Sequence, residues 1–504
     1  MKRPPAFAGH PRRNFIKSTA LASAGLFLPA GLLEEFSSFF APAPAVTSPV
    51  RVRGQVQAQG KGLGKVAVSD GRSVTTTQAD GTYELVTDTS RPFVFVSLPA
   101  GYEIPTNAAG TANFYRTIQP GAKGEAQADF RLEPARAADT NHQFLVLADP
   151  QMQNSYETGL FQTQTIPDVQ ATLRAYTNAP TFGIGCGDLL FDDLSLYPDY
   201  EKGIQKLGIP FFQVIGNHDL DLKVRSDEAS DRTFGRYFGP TYYSFNKGDV
   251  HYVVLDDVFF LGAGYIGYLH ETQLQWLEGD LALVEKGKTV VVALHIPSSG
   301  TREKREGKAE APLGNTLANR QELYRLLEPY RAHLMSGHTH ESEHTFEGNR
   351  HEHVNGAVCG AWWSGPICWD GTPNGYSIYE VKGESLQWRY KSVGFEANHQ
   401  MRLYAPGSEG SNPNELVANV WGWDPAWKVF WYEGADRKGA MTPRKGLDPL
   451  SVKLHTGDKL PERRPWVDPV PTDHLFYAPV SAAAKGVRVE ATDRWGKSYS
   501  ATLG

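Results

Sequence analysis

Phe144-Leu145-Val146-Leu147-Ala148-Asp149-Pro150-Gln151 is an apolar run that stops on a short polar motif. Three more stretches repeat the arrangement. TFGIGC (181–186) runs into Gly187-Asp188, FFQVI (211–215) into Gly216-Asn217-His218-Asp219, and VVVAL (290–294) into His295. A fifth motif, Gly337-His338-Thr339-His340, follows. Short continuous apolar runs of this kind are material for strands buried on both faces. A polar side chain at the tip of such a strand is rigidly held and faces a crevice. Asp, Asn and His drawn from separate strand ends make a set of hard and borderline metal ligands. Asp188 has two carboxylate oxygens and can bridge two metals. Two metals about 3.5–4 Å apart clamp a phosphoryl group during in-line displacement.

In this order the five motifs resemble the calcineurin-like metallophosphoesterase superfamily, over residues 140–393. Glu271-Thr272-Gln273-Leu274-Gln275-Trp276-Leu277 is similar to a helix of that family. The flanks narrow the resemblance to exported members with a β-rich domain on each side. The resemblance implies an α/β fold of two packed mixed sheets flanked by helices, and two metal ions per chain (Mn, Zn or Fe). Asp149, Gln151, Asp188 and His340 would hold the first metal. Asp188, Asn217, His295 and His338 would hold the second. A hydroxide between the metals would attack phosphorus. His218 would contact the phosphoryl oxygen and assist the leaving group, with Asp219 orienting its imidazole. Gln151 departs from the family pattern, where His is usual. An amide oxygen is a neutral, harder donor, so the first site should be weaker and should favour Mn²⁺.

A chain of 504 residues exceeds one core. The first 45 residues read as a twin-arginine signal peptide. Pro11-Arg12-Arg13-Asn14-Phe15-Ile16-Lys17 supplies the arginine pair, an apolar run covers 18–33, and Ala43-Pro44-Ala45 offers a cleavage site. The expected location is therefore periplasmic or extracellular. Residues 50–133 alternate as short strands and turns and resemble a prealbumin-like β-sandwich, and a polar linker spans 134–141. Residues 400–504 return to short strands and read as a second sandwich. The net charge of −6 argues against nucleic acid as the main partner. No later apolar run reaches the length of a membrane span.

Other residues allow two readings each. His333, His344, His351 and His353 are either surface residues of a hairpin or an extra metal site. The basic stretch 300–308 is either a solvated mobile loop or a flap over an anionic substrate. The segments 360–365 and 370–376 either line the pocket or wedge against a flanking domain. Asp192 and Asp193 are expected to hydrogen-bond a ligand, and Asp256 and Asp257 to form turns. The tryptophans of the last domain read as core, as does Cys186, whereas Cys359 and Cys368 are candidates for a disulfide. The sequence thus describes an exported dinuclear phosphoesterase acting on a small-molecule or envelope phosphate mono- or diester. A nucleotide or phospholipid-headgroup phosphatase, and a catalytically silent envelope-binding protein, are the alternatives.

Overall fold

Strict alternation of buried and exposed residues shapes the first domain. Val50, Val52 and Val56 turn inward from the strand Pro49–Ala58, while its odd-numbered neighbours face out. In this computed structural model the described residues are 47–503, apart from 177–178, 409–412 and 481–483, so the expected signal peptide lies outside them. Pro49–Ala58 pairs antiparallel with Thr82–Asp88 and parallel with Glu125–Gln127 and Phe130–Leu132. A second sheet runs Val74–Thr76, Ala67–Ser69, Phe93–Val96, Tyr115–Thr117. Its aromatic residues continue into the next domain: Phe114 lies 4.3 Å from Tyr243 and Phe95 lies 6.0 Å from Trp276, ring centre to ring centre.

The apolar runs form the central strands as expected. Strands β1 (Asn141–Leu147), β2 (Thr181–Cys186) and β3 (Phe211–Val214) are parallel neighbours. A second set comprises β4 (Tyr243–Lys247), β5 (Val250–Val254), β6 (Thr289–Ala293), β7 (Arg331–Ser336), β8 (Glu343–Glu347) and β9 (Arg350–Val354). The hairpin β10 (Gly375–Lys382) and β11 (Ser385–Ser392) completes the first set. The two sheets have the orders β3-β2-β1-β10-β11 and β4-β5-β6-β7-β9-β8. In the second, β5, β6, β7 and β9 are parallel. Aromatic rings fill the space between the sheets. Phe212 stacks on Phe245 at 3.9 Å, and Tyr252 meets Phe182 edge-on at 5.3 Å.

A helix spans Ile166–Ala175, and it continues upstream through a wide turn at Phe161–Thr165 into Ser155–Leu160. Asn154 starts that segment by accepting from the backbone N–H groups of Tyr156 and Glu157. No described helix is long and apolar enough to cross a membrane.

The last domain is a sandwich of two four-stranded sheets. It also contains a helix, Pro449–His455, which Asp448 caps through the Ser451 N–H. A buried polar knot joins it to the catalytic domain. Asp370 accepts from His474 Nε2 (3.1 Å) and from the Ser342 N–H (2.9 Å), and Asn419 Nδ2 donates to the Asp370 carbonyl (3.3 Å). Trp421 and Trp431 are core, as expected, whereas Trp466 is exposed and departs from that expectation. Cys359 and Cys368 are separate buried thiols, so the candidate disulfide is not formed.

Candidate active site

All five motifs lie just beyond the C-terminal ends of β1, β2, β3, β6 and β7, where the two sheets meet. The chain has to turn sharply there. Asp149, Gln151, Asp188, Asp192, His338 and His340 all have positive φ, between 40° and 67°. Side chains other than glycine adopt this left-handed region at a cost, and such residues cluster at functional sites. Two glycines permit the close approach. A Cβ on Gly216 would sit 2.3 Å from Asp188 Oδ1, and one on Gly337 would sit 2.5 Å from Asp149 Oδ2.

Asp149, Gln151, Asp188, Asn217, His295 and His340 are all buried. One side of the site is drawn tightly together. Asp188, His295 and His338 each place a ligating atom within 4.8 Å of the others. Asn217 Oδ1 lies 3.2 Å from His295 Nε2, and His338 Nδ1 lies 3.2 Å from the same nitrogen. His295 Nδ1 donates to the Cys186 carbonyl at 3.1 Å, which turns Nε2 into the site. His340 Nδ1 is likewise occupied by the Gly360 carbonyl.

The opposite side holds Asp149, Gln151 and His340. His340 Nε2 and Gln151 Oε1 are buried and have no hydrogen-bond partner. Gln151 spends its amide N–H on Asp188 Oδ2, so its unpartnered atom is the carbonyl oxygen, the one able to ligate. Buried polar atoms without partners are rare and call for an explanation. A bound cation would supply one here, and the donor set of carboxylates, amide oxygens and imidazoles suits borderline divalent metals. Burial and neighbouring charges perturb these groups strongly. Burial pushes Asp149 up to about 8 against the pull of His295. Burial also acts to raise Asp188, but the charges on His295 and His218 outweigh it and hold that carboxyl well below its usual range. Burial lowers His338 to about 3 and His340 to about 4, so both rings are neutral near pH 7, the form that ligates.

His218 stands at the rim, half-buried, with its backbone N–H on Asp188 Oδ1 (2.9 Å). Its partner corrects the expectation for Asp219. His218 Nδ1 contacts Asp192 Oδ1 at 2.7 Å, and its ring stacks on Phe191 at 4.1 Å. Asp219 faces away from the imidazole. It accepts from the N–H groups of Gly216 (3.0 Å), Leu189 (3.1 Å) and Leu190 (3.2 Å) and from Tyr197 Oη (3.2 Å). It therefore ties the second motif to the third. Burial acts against the charge on His218, but Asp188 and Asp192 outweigh it and raise its pKa.

Several site residues were not evident in the sequence. Asp257, expected only to form a turn, accepts from the His295 N–H (3.0 Å) and the Ile296 N–H (3.1 Å) and so fixes the strand end that carries the ligand. Trp362 stacks on His340 at 4.1 Å, and Trp363 Nε1 donates to the Pro150 carbonyl at 2.9 Å. The 360–376 segment thus both lines the site and joins the flanking domain. The basic stretch 300–308 is no free flap. Arg305 is buried against Glu341 and Glu343, and Arg302 lies 3.9 Å over the Trp369 ring.

Three models of one family match the chain: the N-terminal domain of calcineurin-like phosphoesterase over residues 50–135, calcineurin-like phosphoesterase itself over 142–342, and its C-terminal domain over 352–499. The chain belongs to the calcineurin-like phosphoesterases. Among curated proteins it is 33% identical over 113 residues to purple acid phosphatase 15 of Arabidopsis thaliana, covering 20% of each chain. It is 26% identical over 212 residues to the serine/threonine-protein phosphatase CPPED1 of Rattus norvegicus, covering 38% of this chain and 66% of that one. Among solved structures, the structure of PhoD is similar over 92% of this chain and 86% of its own, with 9% identity and a TM-score of 0.34. Purple acid phosphatase PPD1 of yellow lupin is similar over 74% and 66%, with 14% identity and a TM-score of 0.32.

Proposed function

We propose that this chain is an exported, two-metal phosphoesterase that hydrolyses a phosphate mono- or diester. The observation that carries the reading is the pair of buried, unpartnered ligating atoms, Gln151 Oε1 and His340 Nε2, beside a tight Asp188–His295–His338 cluster. The first metal would be held by Asp149, Gln151, Asp188 and His340, and the second by Asp188, Asn217, His295 and His338. When bound, the metals supply Lewis acidity toward the phosphoryl oxygens and an activated water near neutral pH.

The remaining work falls to the chain. His218 reaches the phosphoryl group from the rim and, with its pKa raised by Asp188 and Asp192, is placed to give a proton to the departing oxygen. Asp192 holds the imidazole, and Phe191 fixes its plane. Asp219 and Asp257 carry no chemistry and anchor the loops that present Asn217 and His295.

Chelation tests the reading. Stripping the metals should abolish hydrolysis of an activated aryl phosphate ester, and adding Mn²⁺, Zn²⁺ or Fe²⁺ should restore it. Unchanged turnover in a metal-free sample would refute the mechanism. A protein that binds two metals yet turns over no mono- or diester in a broad panel would instead be a silent binding protein.

A further inference from the structure

We propose that His333, His344, His351 and His353 form a third metal site, outside the catalytic centre, that takes one zinc-class divalent ion. The sequence allows either a hairpin surface or a metal site for these residues, and the strand register gathers them. His333 on β7 is paired with His351 on β9, and His353 on β9 is paired with His344 on β8. Side chains of paired residues, and of residues two apart on one strand, project from the same face. Four imidazoles from three adjacent strands therefore share one face of the second sheet.

Three of the four lie within ligating range of one ion, and His344 adjoins them through His351. Ligating atoms of His333, His351 and His353 all lie within 4.8 Å of one another. His333 Nδ1 and His353 Nε2 are 3.1 Å apart, and His351 Nε2 and His344 Nδ1 are 3.2 Å apart. In a tetrahedron with bonds of about 2.0–2.1 Å, neighbouring nitrogens are about 3.3–3.4 Å apart. His351 and His353 are buried, and Trp388 covers both rings, at 4.6 and 4.8 Å. His353 Nδ1 has no hydrogen-bond partner. Mutual hydrogen bonds alone thus leave the cluster incompletely satisfied.

The chemistry selects the ion. The ligands are all nitrogen, with no carboxylate, which disfavours Mg²⁺ and Ca²⁺ and suits Zn²⁺ and its neighbours. Burial lowers His333 to about 4 and His344 to about 3, and holds His351 and His353 lower still, so the imidazoles are neutral and free to ligate. Arg494, whose charge acts on all four imidazoles, is engaged by Asp424 through Nε at 2.9 Å. An ion here would tie β7, the strand that delivers His338 and His340, to β9 and β8.

The test counts metal on the full chain. Stripped wild-type protein reloaded with Zn²⁺ and desalted should retain one equivalent more than His351→Phe, and one more than the milder His344→Gln. Asp188→Asn combined with His338→Ala disables the catalytic centre, and in that background Co²⁺ should still give the visible bands of a tetrahedral nitrogen site. Adding His351→Phe should weaken Co²⁺ binding at least 10-fold. Equal zinc content in wild type and both single variants would overturn the site, as would absence of the Co²⁺ bands in the disabled background. Because the catalytic equivalents are counted separately, that failure would leave the phosphoesterase reading intact.

Discussion

Asp192 and Asp219 show how far apart two aspartates near one histidine can be in role. Asp192 holds the His218 ring at 2.7 Å, while Asp219 binds three backbone N–H groups. His218→Ala should lower kcat by about 10²–10⁴ with metal content nearly intact, the usual size of a lost proton donor. Asp192→Asn should give a smaller loss and a shifted pH–rate profile, since it leaves the ring in place and removes a charge. Metal analysis beside kinetics checks both. If metal falls in proportion to activity in His218→Ala, the residue is a ligand and the assigned role is wrong. Gln151 gives a second test at this scale. Its carbonyl oxygen is a harder donor than imidazole, so Gln151→His should raise Zn²⁺ affinity at the first site by roughly 10-fold or more, about 1.4 kcal/mol. Calorimetric titration of stripped protein with Zn²⁺ measures it, and equal affinities would mean that Gln151 does not touch the metal.

At the scale of elements, the strand-end motifs were legible because run and motif are contiguous: each apolar stretch carries its own ligand one or two residues past its end. The Asp192–His218 pairing was not legible, because sequence adjacency favours Asp219 and only the left-handed turn at Asp192 (φ 65°) brings its carboxyl across. The two readings of the four histidines could not be separated for a similar reason. Each lies in a short polar-looking strand, and nothing local fixes the register that turns them to one face. Strand β1 carries a further consequence. His142 is buried between the Asp139 carbonyl and Tyr252 Oη, and burial lowers its pKa from 6.5 to about 4. The folded value lies below the unfolded one, so the unfolded chain takes up the proton first as the pH falls. Stability is full above about 6.5, drains as the pH drops toward about 4 and then levels, a loss of about 3 kcal/mol from this group. His142→Gln should flatten part of the acid slope in a plot of apparent Tm against pH, whatever its effect at neutral pH. Parallel slopes for the two proteins would refute the assignment.

The three-part layout of the whole molecule was legible from composition and turn spacing, but the reach of the last domain into the active site was not, because it depends on how separate folds pack. The segment around residue 464 crosses from the C-terminal sandwich to the rim. Arg464 donates to Gln153 Oε1 at 2.8 Å, and its guanidinium carbon lies 4.9 Å from the ring centre of Phe191, the ring stacked on His218. Trp466, 49% exposed, meets Trp362 at 4.7 Å, and Trp362 stacks on His340. A flanking domain thus supplies an exposed aromatic face and a cation beside both halves of the candidate metal centre. Arg464 is held by Gln153 and Glu157, whereas Trp466 keeps an exposed face that a group attached to phosphorus would meet. An aromatic contact adds about 0.5–1.5 kcal/mol beyond the area it buries, so Trp466→Ala should raise KM for aryl esters roughly 2–10-fold. Small alkyl esters, which cannot stack, should change little, and metal content and kcat should hold. The ratio of kcat/KM for an aryl ester to that for a small alkyl ester, compared between wild type and variant, is the measurement. An equal loss on both esters would mean that Trp466 supports the fold of the rim. No change on either would mean that substrate never reaches the surface the C-terminal domain presents.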